Sequence, residues 1–381
     1  MNHFFEQSYT FNFPTRIRFG KGVIKELAPH LAEKGLKAPL LVTDPGLVTL
    51  PLLKDICTDL QNEGMNVFIF SDIHKNPIKS DVLKGELFYK KNHCDSIIGI
   101  GGGASMDVAR AIALKINHPR DLFDYVELTG GDQYITEAIP YFVTVPTTSG
   151  TGSEVGRSAV ISDDDTHQKK ILFHPSLLAR TVFADPMLTM SLPASITAAT
   201  GMDALTHNIE AYLSKGFHPL CDGIALEGIK LIHESLEESV KQPTLESRSK
   251  MMAGALMGAV AFQKGLGLIH SMAHALSTHK DLHHGLANAL MMPVGLTFNM
   301  ASVSKKIQRV ENHLGISISL ADYTHQLAKN IGLPTTLVSQ GIAEADIAIL
   351  ASLAAADGCH LCNEVTVTEN DFRKLFSEAL H

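Results

Sequence analysis

Ser96-Ile97-Ile98-Gly99-Ile100-Gly101-Gly102-Gly103-Ala104-Ser105-Met106-Asp107 decides the fold class. A short, mainly apolar run meets three glycines, and residues 106–116 then take helical spacing. Such a run reads as a strand buried on both faces, followed by a helix that opens on glycine. Glycines at the carboxyl end of a strand let the backbone approach a phosphate. The helix N-terminus behind them supplies free N–H groups and a positive dipole end. The spacing is not the G-x-G-x-x-G of an ordinary dinucleotide fold. A tight strand-to-helix turn, with Asp107 in its first helical turn, is the competing reading.

The alternation continues on both sides. Residues 40–43 form a buried strand ending at Asp44-Pro45-Gly46, 54–63 are helical, and 66–70 are a strand. Residues 81–92 are helical again, and strand 141–145 stops at Pro146. This pattern predicts a parallel sheet covered on both faces. Residues 146–155, Pro-Thr-Thr-Ser-Gly-Thr-Gly-Ser-Glu-Val, form a second loop after a strand, rich in hydroxyls and glycine. Two such loops would share the sheet edge where open α/β sheets bind ligands. Asp44 at the end of its strand could hydrogen-bond a ribose diol and repel a 2′-phosphate; an Asp in a turn explains it equally well.

After about residue 190 strand signals vanish, and 195–213, 221–239, 245–262 and 268–277 all read as helices. The expected organisation is an α/β domain over 1–190 and an all-helical domain over 191–381. Asp203 and His207, four apart, share one helix face. His270, His274, His279, His283 and His284 are five histidines within fifteen residues. A hydrogen-bonded Asp–His pair would account for the first two alone, but the second cluster favours a metal, which needs about three or four protein ligands.

The 381 residues are 45% hydrophobic and 19% charged, with net charge −8 and no basic block. Binding to nucleic acid or an anionic membrane therefore has no electrostatic footprint. The five cysteines are an odd number, and Cys359–Cys362 has no second pair to make a zinc ribbon, so reduced thiols are expected. Residues 1–6 lack the basic start and apolar run of a signal peptide, and the apolar run 251–262 is too short to span a bilayer. The expected location is the cytoplasm.

Together the motifs resemble the iron-containing (group III) alcohol dehydrogenases over nearly the whole chain. They are Val42-Thr43-Asp44, Asn76-Pro77, 101–107, 146–155, Gly201-Met202-Asp203-Ala204-Leu205-Thr206-His207, 265–274 and 284–289. The resemblance implies a Rossmann-like α/β dinucleotide-binding domain followed by an all-helical metal-binding domain, the dehydroquinate synthase-like architecture, with the active site in the cleft between them. It implies that Asp203, His207, His270 and His284 hold the metal. His274 would stand beside it as a proton relay; His283, before the family's ligand position, would be structural, stand behind the ligands or share the relay. Gly101, Gly102, Gly103, Ala104, Asp107, Thr147, Thr148 and Thr151 would bind the cofactor, with Asp44, Asn76, Lys170 and Leu188 also at its site. The family usually has Ser at Ala104, and Asn-Pro where this chain has Asn363-Glu364, so the chain departs from the family's pattern at both positions.

Within the family the chain is most like the 4-hydroxybutyrate dehydrogenases, through 152–157, 217–219, 222–226, 261–267 and 282–285. In many family members the position before Gly265 is small and apolar, so Lys264 departs from the family there; an anionic substrate would pair it, or its stem would carry the charge to solvent. With Arg157 it would clamp a carboxylate. The implied activity is reversible hydride transfer between a nicotinamide cofactor and a primary alcohol, with 4-hydroxybutyrate and succinate semialdehyde as the candidate pair. Fe2+ is the implied metal, with Zn2+ compatible, and NAD(H) is expected over NADP(H). A homodimer or larger homo-oligomer is implied. The alternatives are a general short-chain alcohol or diol dehydrogenase, a lyase-type or metal-free relative, and a non-catalytic metal- or nucleotide-binding protein.

Overall fold

The computed structural model describes residues 9–12, 15–166 and 168–381; residues 1–6, where no leader pattern was read, lie outside them. The chain forms two compact units, one of residues 1–148 and 153–189, the other of 149–152 and 190–381.

The first unit is built on a sheet of seven strands. They are β1 (Tyr9–Asn12), β2 (Arg16–Phe19), β3 (Pro39–Val42), β4 (Phe68–Phe70), β5 (Ser96–Gly101), β6 (Tyr141–Pro146) and, after a separate antiparallel hairpin of β7 (Ser158–Ser162) and β8 (Lys169–Phe173), β9 (Thr181–Ala184). The order is β1-β2-β9-β6-β5-β3-β4, parallel except for β1. Every residue of β3 and β5 is buried, as continuous apolar strands require. Successive side chains serve opposite faces. Leu40, Val42, Ile97 and Phe142 pack with α4 (Lys79–Lys91) and α5 (Gly103–Asn117). Leu41, Ile98, Ile100 and Val143 pack with α1 (Leu27–Glu33) and α3 (Pro51–Asn62), which follows the short α2 (Pro45–Val48). The α/β class read from the sequence holds. The hairpin β7–β8 and the strands β1, β2 and β9 are additions that the periodicity does not announce.

From β3 the chain goes outward to β4 and returns past β3 to β5. The direction of winding therefore reverses between β3 and β5, and ligands of open α/β sheets bind outside the strand ends at such a reversal. Asp44 lies just beyond β3 there, and Gly101 ends β5 with Gly102 and Gly103 leading into α5.

The second unit is helical: α6 (Ala194–Leu213), α7 (Pro219–Lys241), α8 (Leu245–Ala261), α9 (Leu268–Lys280), α10 (His284–Leu314), α11 (Leu320–Asn330), α12 (Ile347–Ala356) and α13 (Glu369–Glu378). Residues 197–213 of α6 are all buried, which makes it the central helix of this unit. Only small residues let its neighbours close in. A methyl group at Gly228 of α7 would stand 2.1 Å from Asn208 Oδ1, and one at Gly258 of α8 2.6 Å from Asn208 Nδ2. Among the described residues, α10 alone is long and apolar enough to cross a membrane by composition; 56% of that window is buried in the protein, as in a core helix.

Candidate metal centre and nucleotide loops

Asp203, His207 and Glu210 lie one turn apart along one face of α6. His270 and His274 lie one turn apart on α9, and His284 is the first residue of α10. Gly285 lets α10 start against α6: a methyl group there would stand 2.1 Å from the Ala199 carbonyl oxygen. One ligand atom each from Asp203, His207, His270 and His284 lies within 4.8 Å of all the others. Asp203 Oδ1 is 3.4 Å from His284 Nε2 and 4.0 Å from the Nε2 atoms of His207 and His270. Four donors about 2.1 Å from one ion at tetrahedral angles lie roughly 3.4 Å apart, so this set fits a divalent cation. Burial pushes the His207 imidazole down to about 4, against the pull of Asp203. Near neutral pH it is uncharged, as a ligand must be.

Two buried residues complete the centre. Glu210 Oε2 accepts from His270 Nδ1 at 2.6 Å, and its carboxylate also accepts from the Ile269 and His270 backbone N–H groups at 2.7 and 3.3 Å. Asn288, one turn after His284, donates from Nδ2 to Asp203 Oδ1 at 2.7 Å; the same nitrogen is 3.3 Å from His270 Nε2 and from His284 Nε2. Sequence reasoning missed both, although Glu210 stands seven residues after Asp203 and Asn288 four after His284.

The other histidines separate by partner. His274 Nδ1 bonds Asp357 Oδ2 at 2.8 Å, and its ring stacks on His284 at 5.1 Å. Asp357 Oδ1 accepts from Ser271 Oγ and from the Cys359 N–H. Burial pushes the Asp357 carboxyl up, but His274 and these donors outweigh it and hold it well below the usual range. His279 pairs with Asp346 at 2.7 Å, and His283 is the half-buried residue that caps α10. All five cysteines are free thiols. Asn363, of the departed Asn-Pro motif, is buried in a reciprocal amide pair with Asn299 at 2.8 and 3.0 Å.

In the first unit, β5 and β6 end in register, Gly101 beside Pro146, so their two loops leave the same edge. Gly101 has φ 140, open to glycine alone, and a methyl group there would meet Ser105 Oγ at 2.6 Å. The cap residue of α5, Gly102, has no side chain, so the first-turn N–H groups of Gly103, Ala104 and Ser105 stay uncapped. The buried hydroxyls of Thr43 and Ser105 have no hydrogen-bond partner. The Thr147 N–H donates to the Gly101 carbonyl, and the Thr148 side chain faces Gly102. Thr151 belongs to the second unit. Asp44 Oδ1 caps α2 through the Leu47 N–H at 3.1 Å, while Oδ2 faces Gly101. Asn76 is half-buried just before Pro77 and Ile78, which pair with Ser162 of β7, and Lys170 lies on β8 opposite Ile161.

Two of the expected cofactor residues are engaged internally. Asp107 accepts from Arg110 Nη1, Ser153 Oγ and the Val160 N–H at 3.0, 2.6 and 3.0 Å. The fully buried Arg110 also donates to the carbonyls of Ser153, Ser158 and Leu177, tying the second loop to α5. Leu188 is a core side chain packed with Leu41 and Val145. Neither expected substrate cation is free of protein partners. Lys264, 2% exposed, pairs with Asp222 Oδ1 at 2.5 Å and donates to the Tyr212 carbonyl at 3.1 Å. Lys306 donates to the next carbonyls, of Leu213 and Ser214, so two lysines cap the C-terminus of α6. The Arg157 guanidinium lies 5.5 Å from the Phe173 ring.

Family models match both halves of the chain: "Iron-containing alcohol dehydrogenase" over residues 14–186, and "Fe-containing alcohol dehydrogenase family, C-terminal" over 197–380. The chain is 36% identical over 380 residues to a 4-hydroxybutyrate dehydrogenase of Cupriavidus necator, covering 96% of this chain and 98% of that one. Among solved structures, it matches a 1,3-propanediol oxidoreductase with TM-score 0.90 and 31% identity, covering 98% and 99% of the two chains. A sulfoacetaldehyde reductase from Bifidobacterium kashiwanohense, solved with NAD+, matches with TM-score 0.86 and 28% identity over 96% and 97%. Matched along both units and carrying a mostly buried Asp-His3 donor set, the chain belongs to the iron-containing alcohol dehydrogenase family and is an alcohol oxidoreductase.

Proposed function

We propose that the chain interconverts a short primary alcohol and its aldehyde with NAD(H), using ferrous iron held by Asp203, His207, His270 and His284. The observation that carries this reading is the donor set itself: three imidazoles and one carboxylate, mostly buried, with one ligand atom from each within 4.8 Å of all the others. Those donors also suit zinc; iron is favoured by the family. A divalent ion there supplies Lewis-acid chemistry toward the alcohol oxygen. Asp357 holds His274 through Nδ1, leaving Nε2 to exchange a proton with water; His283 is the alternative relay.

In the first unit we assign the pyrophosphate to the α5 N-terminus, with Gly101, Gly102, Gly103, Ala104, Thr147 and Thr148. The orphaned Thr43 and Ser105 hydroxyls support this, because buried polar groups are normally paired. Asn76 and Lys170 of the same unit line this cofactor. Asp44 takes the ribose diol, which favours NAD(H) over NADP(H). Asp107 and Leu188 shape this site from behind. Residues 1–190 thus serve as the dinucleotide-binding domain and 191–381 as the metal-binding domain, in a cytoplasmic homodimer or larger homo-oligomer.

The favoured substrate is 4-hydroxybutyrate and its semialdehyde. The Cupriavidus necator relative is named for 4-hydroxybutyrate, and the sulfoacetaldehyde reductase also bears the name of an anionic substrate. A general short-chain alcohol or diol dehydrogenase is the second reading. It is favoured by Lys264, whose charge Asp222 already neutralises, leaving Arg157 as the remaining cation. The test is kcat/KM on iron-reconstituted protein for succinate semialdehyde, butyraldehyde and 3-hydroxypropanal, each with NADH and NADPH. The first reading expects succinate semialdehyde with NADH to lead. Butyraldehyde or 3-hydroxypropanal in front selects the second, and no turnover with any aldehyde overturns both.

A further inference from the structure

We propose that Glu210 is a positioning residue of the metal centre: through His270 it fixes the ligand's tautomer and sets how tightly the divalent ion is held. The inference rests on the assignment of Asp203, His207, His270 and His284 as ligands. A carboxylate only accepts hydrogen bonds, so at 2.6 Å from Glu210 the proton of a neutral His270 sits on Nδ1. Its Nε2 then carries the lone pair, and that atom belongs to the donor cluster. Asn288 agrees independently, because its Nδ2 is a donor and lies 3.3 Å from the same Nε2. His207 contrasts with His270. Its Nδ1 lies against the Gly150 backbone without a well-formed hydrogen bond, so only His270 of the two is oriented by a charge.

The carboxylate is itself held from three sides. The Ile269 and His270 N–H groups at the start of α9 donate to it, and Gly267 packs against it. A methyl group at Gly267 would stand 2.6 Å from Glu210 Oε1. Three neutral imidazoles and Asp203 leave a divalent ion with one uncompensated positive charge, and Glu210 supplies the matching negative charge one bond network away. Partners of this kind behind a ligand change metal affinity by about 10–100-fold.

The experiment loads the full-length wild type, Glu210→Gln and Gly267→Ala with cobalt(II), then measures Kd and release rate against a competing chelator. Visible cobalt bands and the melting temperature of the metal-free proteins are recorded alongside. Glutamine keeps the shape and one acceptor but not the charge. Gly267 has φ −145, which alanine adopts freely, so Gly267→Ala acts not through backbone strain but through its closest contact, the Glu210 carboxylate, with Asn363 Oδ1 next at 3.0 Å. It also serves should Glu210→Gln fail to fold. The expected result is a 10–100-fold weaker Kd and faster release in both variants. The cobalt bands should shift, the metal-free melting temperatures should stay near wild type, and the two effects should not add in the double variant. Wild-type Kd and release in the folded variants would overturn the role of Glu210 while leaving the ligand assignment standing. A wild type that binds no cobalt would overturn the ligand assignment and this inference with it.

Discussion

At the carboxyl edge of β5 the groups available to a ligand are backbone N–H groups and small hydroxyls, presented by glycines and the bare start of α5. In the second unit the available groups are side chains: Asp203, His207, His270 and His284, two of them buttressed by Glu210 and Asn288. The core of the first arrangement needs only a strand, a tight turn and a helix, β5 to α5, with Thr43 and Thr147 added from the ends of the neighbouring strands. The second gathers side chains from three helices, and from residues 203 to 288. A backbone site is preorganised by local conformation. A side-chain centre is preorganised by packing and by the hydrogen bonds behind its donors. The two regions should therefore fail separately and by different substitutions.

His270→Ala should show the largest separation. It removes one of four donors and leaves Glu210 without its imidazole partner. We expect a folded protein whose bound metal and turnover fall to near zero, a loss of at least about a thousandfold, or roughly 4 kcal/mol. NADH binding, followed by fluorescence titration, should survive. Stoichiometric metal with normal turnover would sink the ligand assignment; loss of NADH binding would show that the two regions are not independent.

Glu154→Gln probes the first unit through pH. Glu154 is fully buried, and burial pushes its carboxyl from 4.5 up to about 7, with Arg110 pulling the other way. Because the folded state holds this proton more tightly, the unfolded chain binds fewer protons between about 4.5 and 7. Stability from this group is present below 4.5 and is lost as pH rises through 7. The glutamine variant should gain on the wild type by about 2–3 kcal/mol across that window, read as the difference in denaturation curves at pH 5 and pH 7.5. Metal stoichiometry should not move. Parallel pH profiles for the two proteins would contradict this expectation.

Asp44→Ser is the smallest effect and the most specific. Serine can still cap α2 at the Leu47 N–H but has no charge to repel a 2′-phosphate. The NADPH-to-NADH ratio of kcat/KM should rise by roughly tenfold, about 1.4 kcal/mol, with no change in metal content. An unchanged ratio would leave Asp44 as a helix cap alone.

Much of both regions was legible because it is local. The apolar strands, the glycines after β5 and the hydroxyl-rich loop after β6 follow from short-range geometry, and so does the shared face of Asp203 and His207. The same kind of spacing was there for Glu210 and Asn288, each a whole number of turns from a metal-site residue, and for Arg110, three after Asp107, but sequence reasoning missed it. Spacing fails at Lys264. The sequence marks this residue as a buried charge needing a partner, but no spacing within an apolar segment reveals Asp222, 42 residues earlier on another helix. The same distance hides Asp357, 83 residues beyond His274.

The amino-acid sequence by itself determined the alternation of strand and helix, the uncapped glycine start of α5, the change to all-helical structure and the residue types able to bind a metal. These rest on hydrophobic period and on the conformational reach of glycine, which act over a few residues. Only the tertiary structure decided which histidines converge, that Glu210 orients His270, and that Lys264 serves a helix end and Asp107 an internal network. The physical reason is that a buried polar group must find a partner but is indifferent to where in the chain that partner lies. Packing brings the partner into reach, and one-dimensional spacing carries no record of it.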